Sequence, residues 1–282
     1  GRRWVLAPEA PPPPADATAF AQARLSEVKD PARLRALRLL ALSGPGTPES
    51  VMNRVAGEAF DQSVVDGLID LSRGLPAPDM PEFVDVAGAS IKDPTERSEL
   101  HRALAEAWAL EGDDPRTQAR VGRHRFACGD RVGALEPLDL ALRGLHQTLP
   151  VPELRALATQ TLNAANAVGH PADKAWTHAA LVLADARWRQ GHQAGARTLD
   201  QTLMATPLRP AARVRATCAA IRRAGAEAAV RALPGLQALE VHLPELPAHF
   251  RAELRTTTAL VRAWTLDNEG ALADLHDALA SS

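Results

Sequence analysis

The chain has 282 residues, of which 46% belong to the set AVILMFWYC and 23% are charged, with a net charge of −2. That composition excludes wholesale disorder, and the near-neutral charge excludes a globally basic nucleic-acid binder, leaving only a local patch. The length is a soft prior of about two domains and is ample for a sizeable core, which must be built mainly from Leu, Val and Ala, because there are 5 Phe, 5 Trp and no Tyr.

The start, Gly1-Arg2-Arg3-Trp4-Val5-Leu6-Ala7-Pro8, has two positive charges but no apolar core behind them, since Pro11 to Pro14 interrupts it. It does not read as a signal peptide. The missing initiator Met leads us to expect a fragment of a longer protein or a processed product. Trp4 to Leu6 reads as a short strand or extended arm, and Pro8 to Pro14 as a stiff polyproline linker. Residues 1–15 are therefore assigned to an arm and linker.

From there nearly everything reads as helix. Ala17 to Val28 is the first. Asp30-Pro31 opens a second, with Asp as N-cap and Pro at the first helical position. Its apolar residues Leu34, Leu37, Leu40 and Ala41 recur at helical spacing. Ser43-Gly44-Pro45-Gly46 stops it. A third helix is expected to start with Thr47 as N-cap and Pro48 at N1, burying Val51, Val55 and Ala56. A fourth begins at Asp61 and runs through Ile69 and Leu71 to Gly74. Glu82-Phe83-Val84-Asp85-Val86 alternates like a strand. A strand needs a partner, and Trp4 to Leu6 or residues near Ile91 are the candidates. Asp93-Pro94 opens a long helix with a stripe of Leu100, Ala103, Leu104, Ala107 and Leu110.

After Pro115 the texture changes to helix pairs on short turns: Pro115 to Cys128 with Arg131 to Leu145, then Pro152 to Ala167 with Pro171 to about Trp188. Further helices follow at Gln193–Met204, Pro210–Ala224, Ala226–Leu239, Pro247–Leu266 and Glu269–Ala280. Such pairs, each with one apolar face, bury themselves by stacking into a solenoid. Gly122, the Gly129-Asp130 turn, Ala134, Leu138 and Ala141 fit the tetratricopeptide grammar of small residues at the helix crossing and a larger apolar filler between them. Ala271, Leu275 and Ala278 repeat the spacing near the end. In between, Ala184, Gly191 and Ala196 keep the small positions, but Asp200 stands where the filler belongs.

The stretch Leu100-His101-Arg102-Ala103-Leu104-Ala105-Glu106-Ala107-Trp108, followed by Gly122 to Ala134, resembles bacterial signal-transduction ATPases of the STAND type. The resemblance covers about residues 16–145 by motif and the rest by texture. It implies a winged-helix domain followed by tetratricopeptide-like repeats, downstream of a nucleotide-binding module and often of a serine/threonine kinase or cyclase. Two departures matter. Val84 to Ile91 stands where such proteins often carry a His-containing stretch. No GxxxxGK[ST] loop is present to cradle phosphate, nor an apolar strand ending in paired acids. The resemblance therefore implies that the ATPase lies outside this chain.

Candidate chemistry is sparse. Cys128 and Cys218 form no CxxC and read as buried thiols of a reducing cytosol, so a cytoplasmic location is expected. No run of about 18 uncharged apolar residues suggests a membrane span. His124 and Cys128 are four apart, but a metal needs more ligands; Cys128 is expected to pack and His124 to flank it. His242 and His249 fall in a Pro-rich loop. Asp113-Asp114 reads as a helix cap before Pro115. Ser43, Ser63, Ser90 and Ser98 lie in no GxSxG context. No catalytic, cofactor-binding or metal-binding residue is singled out. The most distinctive charge feature is Arg209, Arg213, Arg215, Arg222, Arg223 and Arg231 against Glu227. Arg215 and Arg222, seven apart, share a flank of a helix whose buried stripe is Val214, Cys218 and Ile221. These arginines, 209 to 223, are the candidate partner-binding residues. Trp108, Trp176, Trp188 and Trp264 are expected at helix crossings in the core.

The expectation is thus an all-α chain with minor β structure: a winged-helix-like bundle at 16–92 and a tetratricopeptide-like α-solenoid at 93–282. The expected role is a non-catalytic sensing or scaffolding arm of a signalling ATPase or kinase system, binding a protein partner or other domains of its own polypeptide, without cofactor, membrane or nucleic acid. The alternative is a winged-helix transcription regulator, although Asp61, Asp66 and Asp70 on its reader helix would repel phosphate. An enzyme of another type would need a deep pocket with convergent titratable groups.

Overall fold

The computed structural model describes residues 16–71, 75–78, 81–169, 174–226 and 229–281. The arm at 1–15, Arg73, Gly74 and Pro171 lie outside the described residues. The fold is all-α, with one two-stranded hairpin among the described residues. The chain divides into two compact units, up to Asp130 and from Arg131. The expected boundary near residue 92 falls inside the first unit.

The first unit holds α1 (Ala17–Glu27), α2 (Pro31–Ser43), α3 (Glu49–Ala56), α4 (Glu58–Val65), β1 (Ile69–Asp70), β2 (Ala77–Pro78), α5 (Pro81–Ala89), α6 (Pro94–Ala109) and α7 (Pro115–Ala127). Three starts follow one local rule. Asp30 accepts from Ala32 N–H, Asp93 from Thr95 N–H, and Asp114 from Arg116 and Thr117 N–H, each with Pro at the next position. An acid there satisfies orphan donors and the helix dipole, and Pro loses no hydrogen bond. α2 is the centre of the unit, packing on α3, α4, α5 and α6. Its Leu37, Leu39 and Leu40 join Met52, Phe60, Phe83, Leu100 and Leu104 in one buried core. Burying side chains of this size stabilises by about 1.5–3 kcal/mol each.

Several expectations fail here for identifiable reasons. Glu82 to Val86 is not a strand but the middle of α5, with Phe83 and Ala87, four apart, buried on one face. The strands are instead Ile69 and Asp70, paired antiparallel with Pro78 and Ala77. Residues around Ile91 are a turn into α6 rather than a strand partner. The fourth helix ends at Val65, and Ile69 enters the core from β1. Pro48, not Thr47, is the N-cap of α3; the Thr47 hydroxyl donates back to Gly44 O at 2.8 Å. Leu110 is 71% exposed, because it is the C-cap just beyond the end of α6, where the helical stripe stops.

The second unit holds α8 (Arg131–Leu145), α9 (Val151–Val168), α10 (Lys174–Arg189), α11 (Gln193–Ala205), α12 (Pro210–Ala224), α13 (Ala229–Leu239), a 3-10 segment (Glu240–Glu245), α14 (Ala248–Trp264) and α15 (Asn268–Ser281). Each helix packs on the next along the chain, and α10 also packs on α8 and α12, as α12 does on α14. α8, α10, α12 and α14 therefore form a row. Alanine makes this close layering feasible: Ala179, Ala180, Ala184 and Ala186 of α10 are all buried, and small side chains let neighbouring backbones approach. Val214, Cys218 and Ile221 are buried as the stripe of α12 required.

Candidate interaction groove

Along this row, over α10, α12 and α14 and beside the turn that follows α8, lies a groove of about 680 Å³. Its floor is apolar, from Leu154 of α9, Leu181 and Val182 of α10, and Ala219 of α12. Trp188 lines it half-buried, and His146 and Gln147 of the α8–α9 turn close one end. Its charged lining is Asp185 and Arg189 of α10, Arg215, Arg222 and Arg223 of α12, and Glu253 of α14.

These charges are mostly matched. Arg189 Nη2 lies 2.7 Å from Asp185 Oδ2, one helical turn away. Arg222 Nη2 lies 2.6 Å from Glu253 Oε1, and its Nη1 donates to Thr257 Oγ1 at 3.2 Å. Arg223 is buried and grips Asp200 of α11 with two nitrogens, Nε at 3.1 Å from Oδ2 and Nη2 on Oδ1. Arg215 is exposed, and no described carboxylate lies within ion-pair distance of it.

The five arginines expected to bind a partner thus separate. Arg215, Arg222 and Arg223 line the groove. Arg213 turns away, donating to Met204 O at 3.4 Å and Thr206 O at 2.9 Å at the end of α11. Arg209 is exposed at the N-cap of α12, outside the groove lining. Trp188, expected in the core, lines the groove instead, and Asp185, Arg189 and Glu253 were not singled out from the sequence. An i,i+4 acid–base pair beside a tryptophan was the available signal on α10; Glu253 became visible only through its pairing with Arg222 across helices.

Of the residues expected to define a repeat, Gly122 in α7 is buried and Gly129 sits in a turn with φ +88. Ala134, Leu138 and Ala141 of α8 are fully buried. Ala271 and Ala278 of α15 are buried, whereas Leu275, in the filler position, is 42% exposed. Trp108 and Trp176 are core residues, as expected, but Trp188 and Trp264 are only half-buried.

The first unit contains an arrangement the sequence did not suggest. His124, expected as a flank, is fully buried, and Cys128 is the half-exposed one. His124 Nδ1 lies 3.0 Å from His101 Nδ1, and its Nε2 has no hydrogen-bond partner. Burial, then the neighbouring His101, Arg123 and Arg120, push the His124 pKa down to about 3. His101 is lowered too, by burial and then by Arg97. Both thiols are free; burial raises that of Cys218 to about 11. Asp114, expected as a cap, is lowered first by its hydrogen bond with the Thr117 side chain. No group of three or more His, Cys, Asp or Glu among the described residues is placed to hold a metal ion. No described helix is long and apolar enough to cross a membrane. Comparison of the chain with family models, with curated proteins and with solved structures gives no significant match.

Proposed function

We propose that the second unit is a helical-repeat interaction module that binds a protein partner along the α8, α10, α12 and α14 row. It serves as the sensing or scaffolding arm of a signalling ATPase or kinase system of the STAND type. The observation that carries this reading is the groove itself. It combines an apolar floor, a half-buried tryptophan and exposed ion pairs on one row of stacked helices, the composition of a protein-recognition surface. The helix-pair layering of the unit supports a repeat, and the Leu100 to Ala134 text supports the family. In this reading the first unit is a structural winged-helix-like bundle, with the β1–β2 hairpin in the place of a wing. Asp66, on the expected DNA-reading element, is tied to Arg33 and Gln62, which favours a packing role.

The test is a photo-crosslinking amino acid placed at Ala219 in the groove or at exposed Arg197 on α11, in the protein expressed in its own cell. A single partner is expected from position 219 and not from 197. When purified, that partner should change ATP turnover of the associated ATPase. Equal crosslinking from both positions, or no effect on turnover, would contradict the reading.

A further inference from the structure

We propose that the groove takes an extended peptide segment in which carboxylates alternate with apolar side chains, with Arg215 as the anchoring cation. This deepens the interaction reading above and rests on it. The argument begins with the charge that remains after internal pairing. Arg223 is neutralised by Asp200 in the interior, Arg189 by Asp185, and Arg222 by Glu253. Arg215 is the one lining arginine with no described carboxylate in range, so the groove presents a surplus positive charge on α12. The Arg189 and Arg222 pairs are solvent-facing, with side-chain exposures of 59% and 43% on the arginines. Exposed pairs of this kind are weak, so their arginines can turn to a carboxylate that enters from outside.

The same geometry disfavours a nucleic-acid strand. Asp185 and Glu253 share the lining with the arginines, and a uniformly charged phosphate chain would be repelled wherever it passed them. A peptide with spaced carboxylates meets the arginines and avoids the acids. Leu154, Leu181 and Val182, with Trp188 beside them in the lining, form an apolar floor that would take its intervening apolar side chains.

The test is fluorescence anisotropy with the full chain and three labelled probes: a synthetic peptide alternating Asp or Glu with Leu, its Asn/Gln counterpart, and a thymidine oligonucleotide of similar length. The acidic peptide should bind at least about tenfold more tightly than the neutral one and weaken as salt rises. Arg215→Glu should weaken it by at least about tenfold and Arg215→Gln by less, whereas Arg209→Glu, the same charge change outside the groove, should leave it within about twofold. Circular dichroism of the variants should match that of the unmodified protein, since Arg215 is exposed. The proposal is overturned if the acidic peptide does not bind, if Arg209→Glu and Arg215→Glu act alike, or if the oligonucleotide binds as tightly. Equal, salt-insensitive binding of both peptides, quenching Trp188, overturns the acidic preference and leaves the groove as a protein site. The interaction reading itself is tested separately, by the crosslinks from position 219, and falls if they fail.

Discussion

Asp200 and Arg223 face each other across α11 and α12 as a buried, two-pronged ion pair, with Nε to Oδ2 at 3.1 Å and Nη2 on Oδ1. Asp200 stands where the spacing of Ala184, Gly191 and Ala196 led us to expect an apolar filler. Asp200→Ala should destabilise the protein by about 3–5 kcal/mol, because it strands a buried guanidinium. Replacing both residues by Leu should cost far less and could even stabilise, since a well-packed apolar pair carries no desolvation penalty. Urea unfolding of the two single variants and the double variant measures the difference. A double variant as unstable as Asp200→Ala would contradict the pairing.

The His101–His124 pair makes stability depend on pH. At 3.0 Å between Nδ1 atoms, only one proton fits between the rings, one nitrogen donating and the other accepting. The folded pKa of His124, about 3, lies below the ordinary value of 6.5. Between those values the unfolded chain holds a proton that the folded chain refuses. Stability is therefore intact above the unfolded value and falls as pH drops from 6.5 toward 3, by at most about 1.4 kcal/mol per pH unit for this group. Amide exchange of α6 and α7 should accelerate over that window. His124→Leu should flatten the dependence, and an unchanged slope would contradict it.

How far the sequence revealed these relationships depended on how local their causes were. Asp30-Pro31, Asp93-Pro94 and Asp114-Pro115 announced helix starts because cap and first turn are adjacent in sequence. The segment Glu82 to Val86 was misread because five residues can alternate and still place Phe83 and Ala87 on one helical face. The hairpin at Ile69–Asp70 and Ala77–Pro78 was too short to leave a periodic signal. Asp200 looked like a broken repeat until Arg223, 23 positions on, supplied its partner. His124 looked peripheral because His101, which meets it, comes from the preceding helix. In the groove, Arg215 and Arg222 were legible from their spacing along α12. The carboxylates that neutralise Arg222 and Arg223 lie on other helices and were not.

The turn after α2 isolates the effect of close approach at a glycine. Gly44 has φ +80, and a Cβ there would lie 2.9 Å from Arg120 Nη1, which donates to Ser43 O at 3.0 Å while the Nη2 of the same guanidinium donates to Pro45 O at 2.6 Å. Gly46 has φ +78 and open space around it. Gly46→Ala should cost about 1 kcal/mol, the left-handed backbone alone, and Gly44→Ala more, because Arg120 must release the turn. Thermal melts of the two variants decide it; equal losses would mean that Arg120 yields freely.

The two thiols should differ in reactivity. Cys218 is buried in α12 with its pKa raised to about 11, so almost no thiolate exists near neutral pH. Cys128 is half-exposed at the end of α7. Titration with a thiol-reactive chromophore at mildly alkaline pH should modify one thiol in the native protein and the second only on unfolding. Rapid modification of both thiols, or fast labelling of Cys218 in Cys128→Ser, would contradict the buried stripe of α12.

The central claim, that a protein partner occupies the α8, α10, α12 and α14 row, is tested most directly by hydroxyl-radical footprinting of the chain with its crosslinked partner bound. Oxidation of Trp188 and His146 should fall while Trp264 is unchanged. Unaltered oxidation of Trp188, with protection instead at the exposed Leu272 and Leu275 of α15, would place the partner elsewhere and contradict the claim.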